Sequence, residues 1–349
     1  MPRIRNSCPL ILVAFAGFTA RSADNYISGK GRAQPDDNEV RIHSYGPNLE
    51  ASWLAYTTGT YGTLVSNGDI DNDGLDNAIT GPGPGPVHGP HVKAFQPSGA
   101  PVNKVTFYAY GTLKFGVNVA GGNMDADPYD EIVTGAGPGA IFAPHVRGWN
   151  YDNQQVAPLK NFSFLAFSTL KYGAVVATAQ LLQDNALEIM VSNGPDPGMS
   201  LLAAFDYDGS AITSIGSIGG ASCCYGYNVS AAQIDGDAFD EYLLAPGPSA
   251  VLGAQVRGFN FDGVGTTAIA KLNFYAFNTM YGARLAAGDI DPTLNQDELV
   301  IGPGEDPTAA ANVRTFTYGS GIGTLPGGDF LAFGSSSFGV VVGAGNFGY

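Results

Sequence analysis

The chain has 349 residues, 44% of them apolar and only 13% charged, which supports a large core and excludes wholesale disorder. Its formal net charge of −15 argues against nucleic acid and anionic membrane surfaces as partners. Acids without basic partners suit bound divalent cations instead.

The first segment, "MPRIRNSCPLILVAFAGFTARSA", has two arginines, an apolar run and then small residues. It reads as a secretory signal peptide cleaved between Ala20 and Ala23, too short to span a bilayer. The alternative is a retained hydrophobic arm. Residues 1–23 are thus assigned to a leader and 24–349 to a single domain that is secreted, extracellular or at the cell surface. Cys8 falls in the leader, leaving only the adjacent Cys223 and Cys224. Two neighbouring thiols are too few for a zinc site. They leave open a vicinal disulfide, free thiols or a bridge to another chain.

The rest of the chain repeats. An aromatic-glycine pair recurs at Tyr61-Gly62, Phe115-Gly116, Tyr172-Gly173, Tyr225-Gly226, Tyr281-Gly282 and Phe338-Gly339, at intervals of 53 to 57 residues. Before each pair comes a strand-like segment: "SWLAY", "TFYAY", "SFLAF", a degenerate "SIGSI", "NFYAF" and "DFLAF". After it come a short apolar run, an acidic loop, a strand like "DEIVTG", a Gly/Pro segment and a strand like "PHVRGWNYD". Four strands per unit, repeated radially, predict an all-β propeller of four-stranded antiparallel blades. The last copy stops inside its acidic loop, at "GVVVGAGNFGY", while "DNYISGKGRAQPDDNEVRIHSYG" matches the second and third strands of a unit. The count is therefore six blades, the last closed by both chain termini. A closed ring leaves no sheet edge free, although a terminal strand shared between chains would join copies of the protein.

The acidic loops carry the chemistry. The first reads "GDIDNDGLDNAITGPGPGP", with side-chain oxygens at Asp69, Asp71, Asp73 and Asn77, a turn at Gly74 and a carbonyl at Leu75. Alternate inward positions around a turn supply the six or so oxygens that Ca²⁺ takes. The second loop offers Asn123, Asp125, Asp127, Tyr129 (carbonyl) and Glu131. The fourth offers Gln233, Asp235, Asp237, Phe239 (carbonyl) and Glu241. The fifth has Asp289 and Asp291, then one extra residue before Glu298. The third, "QLLQDNALE", has Leu182 where the second ligand belongs and is predicted to bind nothing. The sixth, cut by the chain ends, has no acids. Three near-complete loops and a doubtful fourth give about three to four Ca²⁺ sites. An EF-hand is excluded, because the twelfth loop positions are Thr80, Thr134 and Leu244 and the flanks are strand-like.

These motifs resemble the FG-GAP/VCBS repeats of integrin-α-type propellers, and in particular the bacterial "GPGPGGGPHVRVF" kind. The likeness covers nearly all of the chain after the leader. It implies Ca²⁺ in the loop between the first two strands of a blade, here the first, second and fourth loops. It also implies an adhesive, ligand-binding or structural module. The chain departs from the integrin pattern in its six units and its degenerate third and fifth loops.

Other columns of residues read as packing. A basic residue recurs on the third strand at Arg41, Lys93, Arg147, Arg257 and Arg314, with Ala203 in the third unit. A ring two residues on (His43, Phe95, Trp149, Phe205, Phe259, Phe316) shares its face, which suits inter-blade cation–π packing. His91 and His145 are equivalent and suit a repeated structural hydrogen bond. Asn161 and Asn228 lie in N-glycosylation sequons. There is no G-x-S-x-G, no H-E-x-x-H and no phosphate loop. The expectation is therefore a non-enzymatic, secreted, calcium-binding propeller with a structural, adhesive or self-assembling, filament-forming role. Its partners would be other protein chains, copies of itself among them. The alternative is a lectin-like propeller that binds glycans.

Overall fold

The computed structural model describes residues 23–349, apart from 33–37, 60, 87, 112–113, 126, 169–170, 220–223 and 335. The expected leader, but for Ala23, lies outside the described residues, as does Cys223. Cys224 is disulfide-bonded.

The described elements are 24 strands in six four-stranded antiparallel sheets. The chain opens with β1 (Asn25–Lys30), β2 (Glu39–Ser44) and β3 (Asn48–Leu54). Blade one follows with β4 (Thr63–Gly68), β5 (Asn77–Pro82), β6 (His91–Phe95) and β7 (Pro101–Tyr108). Blade two has β8 (Val117–Gly122), β9 (Glu131–Ala136), β10 (His145–Tyr151) and β11 (Val156–Leu165). Blade three has β12 (Ala174–Ala179), β13 (Glu188–Asn193), β14 (Leu202–Tyr207) and β15 (Ile212–Ser217). Blade four has β16 (Tyr227–Ala232), β17 (Glu241–Pro246), β18 (Gly253–Phe261) and β19 (Thr266–Met280). Blade five has β20 (Ala283–Gly288), β21 (Glu298–Pro303), β22 (Asn312–Tyr318) and β23 (Ile322–Leu331). The last strand, β24 (Val340–Gly345), pairs with β1, Tyr26 opposite Ala344, and completes a sixth blade in the order β24-β1-β2-β3. One chain thus supplies all four strands of that blade.

The first strand of each blade touches the first strands of its two neighbours, so these six strands line a central channel. Second strands such as "EIVTGA" and "ELVIGP" are buried at every position because neighbouring blades cover both faces. Outer strands such as β7 alternate between buried and exposed. The core lies between blades: Ile79, Val92 and Val105 of blade one meet Val119, Ile132 and Trp149 of blade two. Each such side chain contributes roughly 1.5–3 kcal/mol on burial.

The aromatic-glycine pairs are sharp corners before each first strand. All six aromatics have φ between 57° and 70°, and the glycine after each is also left-handed. That glycine is required twice over, since a Cβ at Gly173 would stand 2.0 Å from the Ala136 carbonyl of the preceding blade. The glycine after strand two meets the same corner: a Cβ at Gly137 would lie 1.8 Å from the Phe115 carbonyl. Close backbone approach at every blade explains much of the chain's glycine content.

The basic column packs between blades. Arg41, Lys93, Arg147 and Arg314 donate to the carbonyls of Ala332, Ala55, Ala109 and Ala276 on the preceding blade. Each also lies over an aromatic ring, Arg147 on Trp149 at 4.4 Å and Arg314 on Phe277 at 4.9 Å among them. His91 and His145 bond Thr106 and Ser163 across the ladder. Among the described residues, no group of metal-ligating side chains includes a histidine.

Candidate metal centre

The loops joining first and second strands gather acids in four blades. Asp69, Asp71 and Asp73 each bring a carboxylate oxygen within 4.8 Å of the others. The same holds for Asp125, Asp127 and Glu131, for Asp184, Glu188 and Asp206, and for Asp235, Asp237 and Glu241. All are oxygen donors, the set that hard cations take.

The ninth loop position, which opens strand two, organises each site. Glu131 is fully buried. Its Oε2 accepts from the Met124 amide at 2.7 Å, while its Oε1 has no hydrogen-bond partner. Glu188 accepts from Leu181 and Leu182, and Glu241 from Ile234; in both, Oε1 is likewise without a partner. A buried, unpartnered carboxylate oxygen costs several kcal/mol unless a cation or proton meets it. Burial accordingly pushes Glu131 up to about 8 and Glu188 and Glu241 to about 7, and the neighbouring acids add to each rise. Burial is the larger cause throughout.

The remaining loop positions frame the turn. In blade two Asp127 Oδ1 accepts from the Tyr129 amide at 2.8 Å, and in blade four Asp237 Oδ1 accepts from Phe239 at 2.7 Å. In blade one Asp73 Oδ1 accepts from Leu75, and Asp69 accepts from both Asp73 and Gly74. The first-position amides expected as ligands are placed on the backbone. Asn123 Nδ2 donates to the Asp127 carbonyl, and Gln233 Nε2 donates to the Asp237 and Phe239 carbonyls. The Phe239 carbonyl is therefore engaged by Gln233.

Blade one differs where the sequence looks most complete. Asn77 Oδ1 accepts from the Ile70 amide, as the glutamates do, and so turns its NH₂ toward Asp71. An amide donor stands where the other blades place a carboxylate oxygen.

Two loops gather their acids differently from the sequence pattern. Blade five does not gather its acids: Thr293 stands where blade one has Asp73, and both its amide and its hydroxyl bond Asp291 Oδ1. Asp289, Asp291 and Glu298 form no three-acid group among the described residues. The Asp291 amide donates to Glu298 Oε2, as the Leu182 amide does to Glu188 Oε2 in blade three. Blade three, expected to bind nothing, gathers three acids because Asp206 reaches in from β14.

Asp206 belongs to a column that the loop pattern does not reveal. It follows Phe205, which pairs with Ile189, and so lies across the ladder from Glu188. The same register holds Gln96, Asn150 and Asn260 in blades one, two and four. Gln96 donates to Asp71 at 2.6 Å and Asn260 to Asp235 at 3.4 Å. The signal for it was a polar residue three places after each basic-column position.

Of the two sequons, Asn161 is exposed, and its side chain donates to Ser210 O. Asn228 is buried and donates to the Ala283 carbonyl at 2.6 Å, which leaves no room for a glycan in the folded blade.

No family model matches the sequence, and no curated protein matches it. Solved structures with a similar fold include rhamnogalacturonan lyase YesW (14% identity, TM-score 0.40) and exotype rhamnogalacturonan lyase YesX (16%, 0.41). The rhamnogalacturonan lyase PL11 of Bacillus licheniformis is another (14%, 0.43). They cover 79–81% of this chain, which in turn spans 56% of each of theirs. These structures are named as enzymes, so the expectation of a non-enzymatic structural, adhesive or self-assembling protein, with its lectin-like alternative, is not carried forward. At this similarity the likeness is one of propeller shape, and no lyase activity is assigned to this chain. Among the described residues no helix is long and apolar enough to cross a membrane.

Proposed function

We propose that this chain is a calcium-binding propeller of the FG-GAP/VCBS kind, with Ca²⁺ held by Asp125, Asp127 and Glu131 in blade two and by Asp235, Asp237 and Glu241 in blade four. Blade one, with Asp69, Asp71 and Asp73, is a weaker site. The observation that carries the reading is the buried glutamate with one oxygen fixed on a backbone amide and the other without a partner, beside two loop aspartates. The donors are all oxygen, drawn from a turn that can widen to six or more ligands, which favours Ca²⁺ over the rigid octahedron of Mg²⁺. The leader-like N-terminus supports secretion into a calcium-rich medium. Bound Ca²⁺ neutralises the buried carboxylates and fixes the loop to the start of strand two. Thermal unfolding with Ca²⁺ and with EGTA tests the reading. A melting temperature several degrees higher with Ca²⁺ is expected, and no difference overturns it.

A further inference from the structure

We infer that blade three holds a divalent cation through Asp184, Glu188 and Asp206, with Asp206 supplying from the third strand the carboxylate that Leu182 withholds from the loop. The inference rests on the reading that the blade loops bind cations.

Blades two and four each use two loop aspartates and the ninth-position glutamate. Blade three keeps Asp184 and Glu188, and the Leu182 position offers no oxygen. Its third acid comes from β14, and each of the three brings a carboxylate oxygen within 4.8 Å of the others, the limit that the other blades also meet. Cross-strand partners on an antiparallel ladder face the same side, so a residue opposite Glu188 is one of the few that reach its carboxylate. The acid has moved from loop to strand with the charge count unchanged.

The independent observation is Glu188 itself. It is fully buried, its Oε2 accepts from two amides at 2.5 and 2.9 Å, and its Oε1 has no partner. The loop frame is also kept: Gln180 Nε2 donates to the Asp184 and Ala186 carbonyls at 3.4 Å, as well as to the Leu182 carbonyl, and Asp184 Oδ1 accepts from Ala186 at 3.1 Å.

The Gln96, Asn150 and Asn260 column gives the strand position the same part elsewhere. Asn150 and Asn260 each carry a buried side-chain oxygen without a hydrogen-bond partner. In blades two and four an amide stands across the ladder from the glutamate; in blade three a carboxylate stands there.

Calorimetric titration of the EDTA-stripped full chain with CaCl₂ tests this. Asp206→Ala is expected to lose about one bound ion per chain relative to wild type. Adding Leu182→Asp to Asp206→Ala restores the loop acid and is expected to recover it, which a packing role for Asp206 would not allow. Asp235→Ala, in blade four, separates the two readings. If Asp235→Ala loses an ion and Asp206→Ala keeps the wild-type number, the blade-three site is overturned alone. If the wild type binds none, the broader reading falls with it. Should Asp206→Ala fail to fold by circular dichroism, terbium soaked into wild-type crystals decides. An anomalous peak enclosed by Asp184, Glu188 and Asp206 supports the site. Peaks at Asp125 and Asp235 with none at Asp206 overturn it.

Discussion

Asp130 of blade two and Asp69 of blade one are joined twice: the Asp130 amide donates to the Asp69 carbonyl at 3.0 Å, and Asp130 Oδ2 accepts from the Asp69 amide at 2.9 Å. The clasp recurs around the ring. Asp240 holds Gln180, Asp24 holds Asp289, and Asp76 holds Asn346, each by the same reciprocal pair. Asp297 holds Gln233 likewise. At the blade-two to blade-three junction Leu187 keeps only the backbone half, donating to the Asn123 carbonyl at 2.7 Å. The Asp24 and Asp76 clasps lie on either side of the blade built from both chain ends, so side chains as well as β-pairing close the ring.

Removing one clasp destabilises the ring without touching a metal ligand. Asp240→Ala leaves the Gln180 amide without its acceptor and is expected to cost about 1–3 kcal/mol. Asp240→Asn keeps an acceptor and is expected to stay closer to wild type. Urea unfolding in EDTA measures both, and equal losses for the two would contradict the acceptor oxygen as the source of the clasp's stability.

The buried acids set opposite pH dependences with and without calcium. Burial pushes Asp76, Glu188, Glu241 and Glu298 to about 7, Glu131 to about 8 and Asp240 to about 6. Each value lies above that of the unfolded chain, so the folded state holds protons that the unfolded state has already released. Their contribution to metal-free stability is fully present below about pH 4 and is lost as pH rises toward about 8, by about 1.4 kcal/mol per pH unit for each full proton of difference. Calcium requires the ionised glutamates, so its stabilising effect grows over the same range and binding releases protons. Melting temperatures at about pH 5.5 and 8 are expected to fall with pH in EDTA, and the gain on adding Ca²⁺ is expected to rise. A metal-free protein more stable at the higher pH would refute the assignment of these shifts.

Blade one already carries, in Asn77, the arrangement that Glu131→Gln would create in blade two. Glu131→Gln keeps an oxygen for the Met124 amide but replaces the unpartnered carboxylate oxygen with NH₂. It is expected to raise metal-free stability near pH 8, by removing a buried charge, and to weaken Ca²⁺ binding in that blade roughly tenfold, about 1.4 kcal/mol. Asn77→Asp is the reverse change and is expected to tighten the blade-one site roughly tenfold, about 1.4 kcal/mol. Calorimetric titration of both variants checks this; weaker calcium binding by Asn77→Asp would contradict the account of blade one.

The glycine after strand two bears on the fold alone. Gly137→Ala sets a Cβ 1.8 Å from the Phe115 carbonyl and 2.7 Å from its carbonyl carbon, with backbone rather than a flexible side chain in the way. A loss of about 1–3 kcal/mol or more is expected. Gly111→Ala, with nothing within 4 Å, is the control and is expected to be near neutral.

The ring was legible because its signals are local. Tyr61-Gly62 and its five copies mark corners whose left-handed backbone permits few other residues, and the acids of the first, second and fourth loops lie close together in sequence. What escaped was made by pairing across strands. Asp206 joins Asp184 and Glu188 only through the β13–β14 ladder, with Leu182 disguising the loop as lost. The fifth loop deceived in the other direction, because counting acids cannot show that Thr293 occupies Asp291. Asn77 passed as a ligand because sequence gives an amide's residue type and not which end faces the site. The clasp aspartates were overlooked for a related reason, since Asp76, Asp130 and Asp240 read as loop acids while their partners sit one blade away.

The most direct measurement is a crystal structure grown in millimolar CaCl₂. The account predicts an ion at Glu131 Oε1, with Asp125 and Asp127 oxygens at about 2.3–2.6 Å from it. Glu131 Oε1 hydrogen-bonded to a water or a donor, with no ion between Asp125 and Asp127, would contradict it.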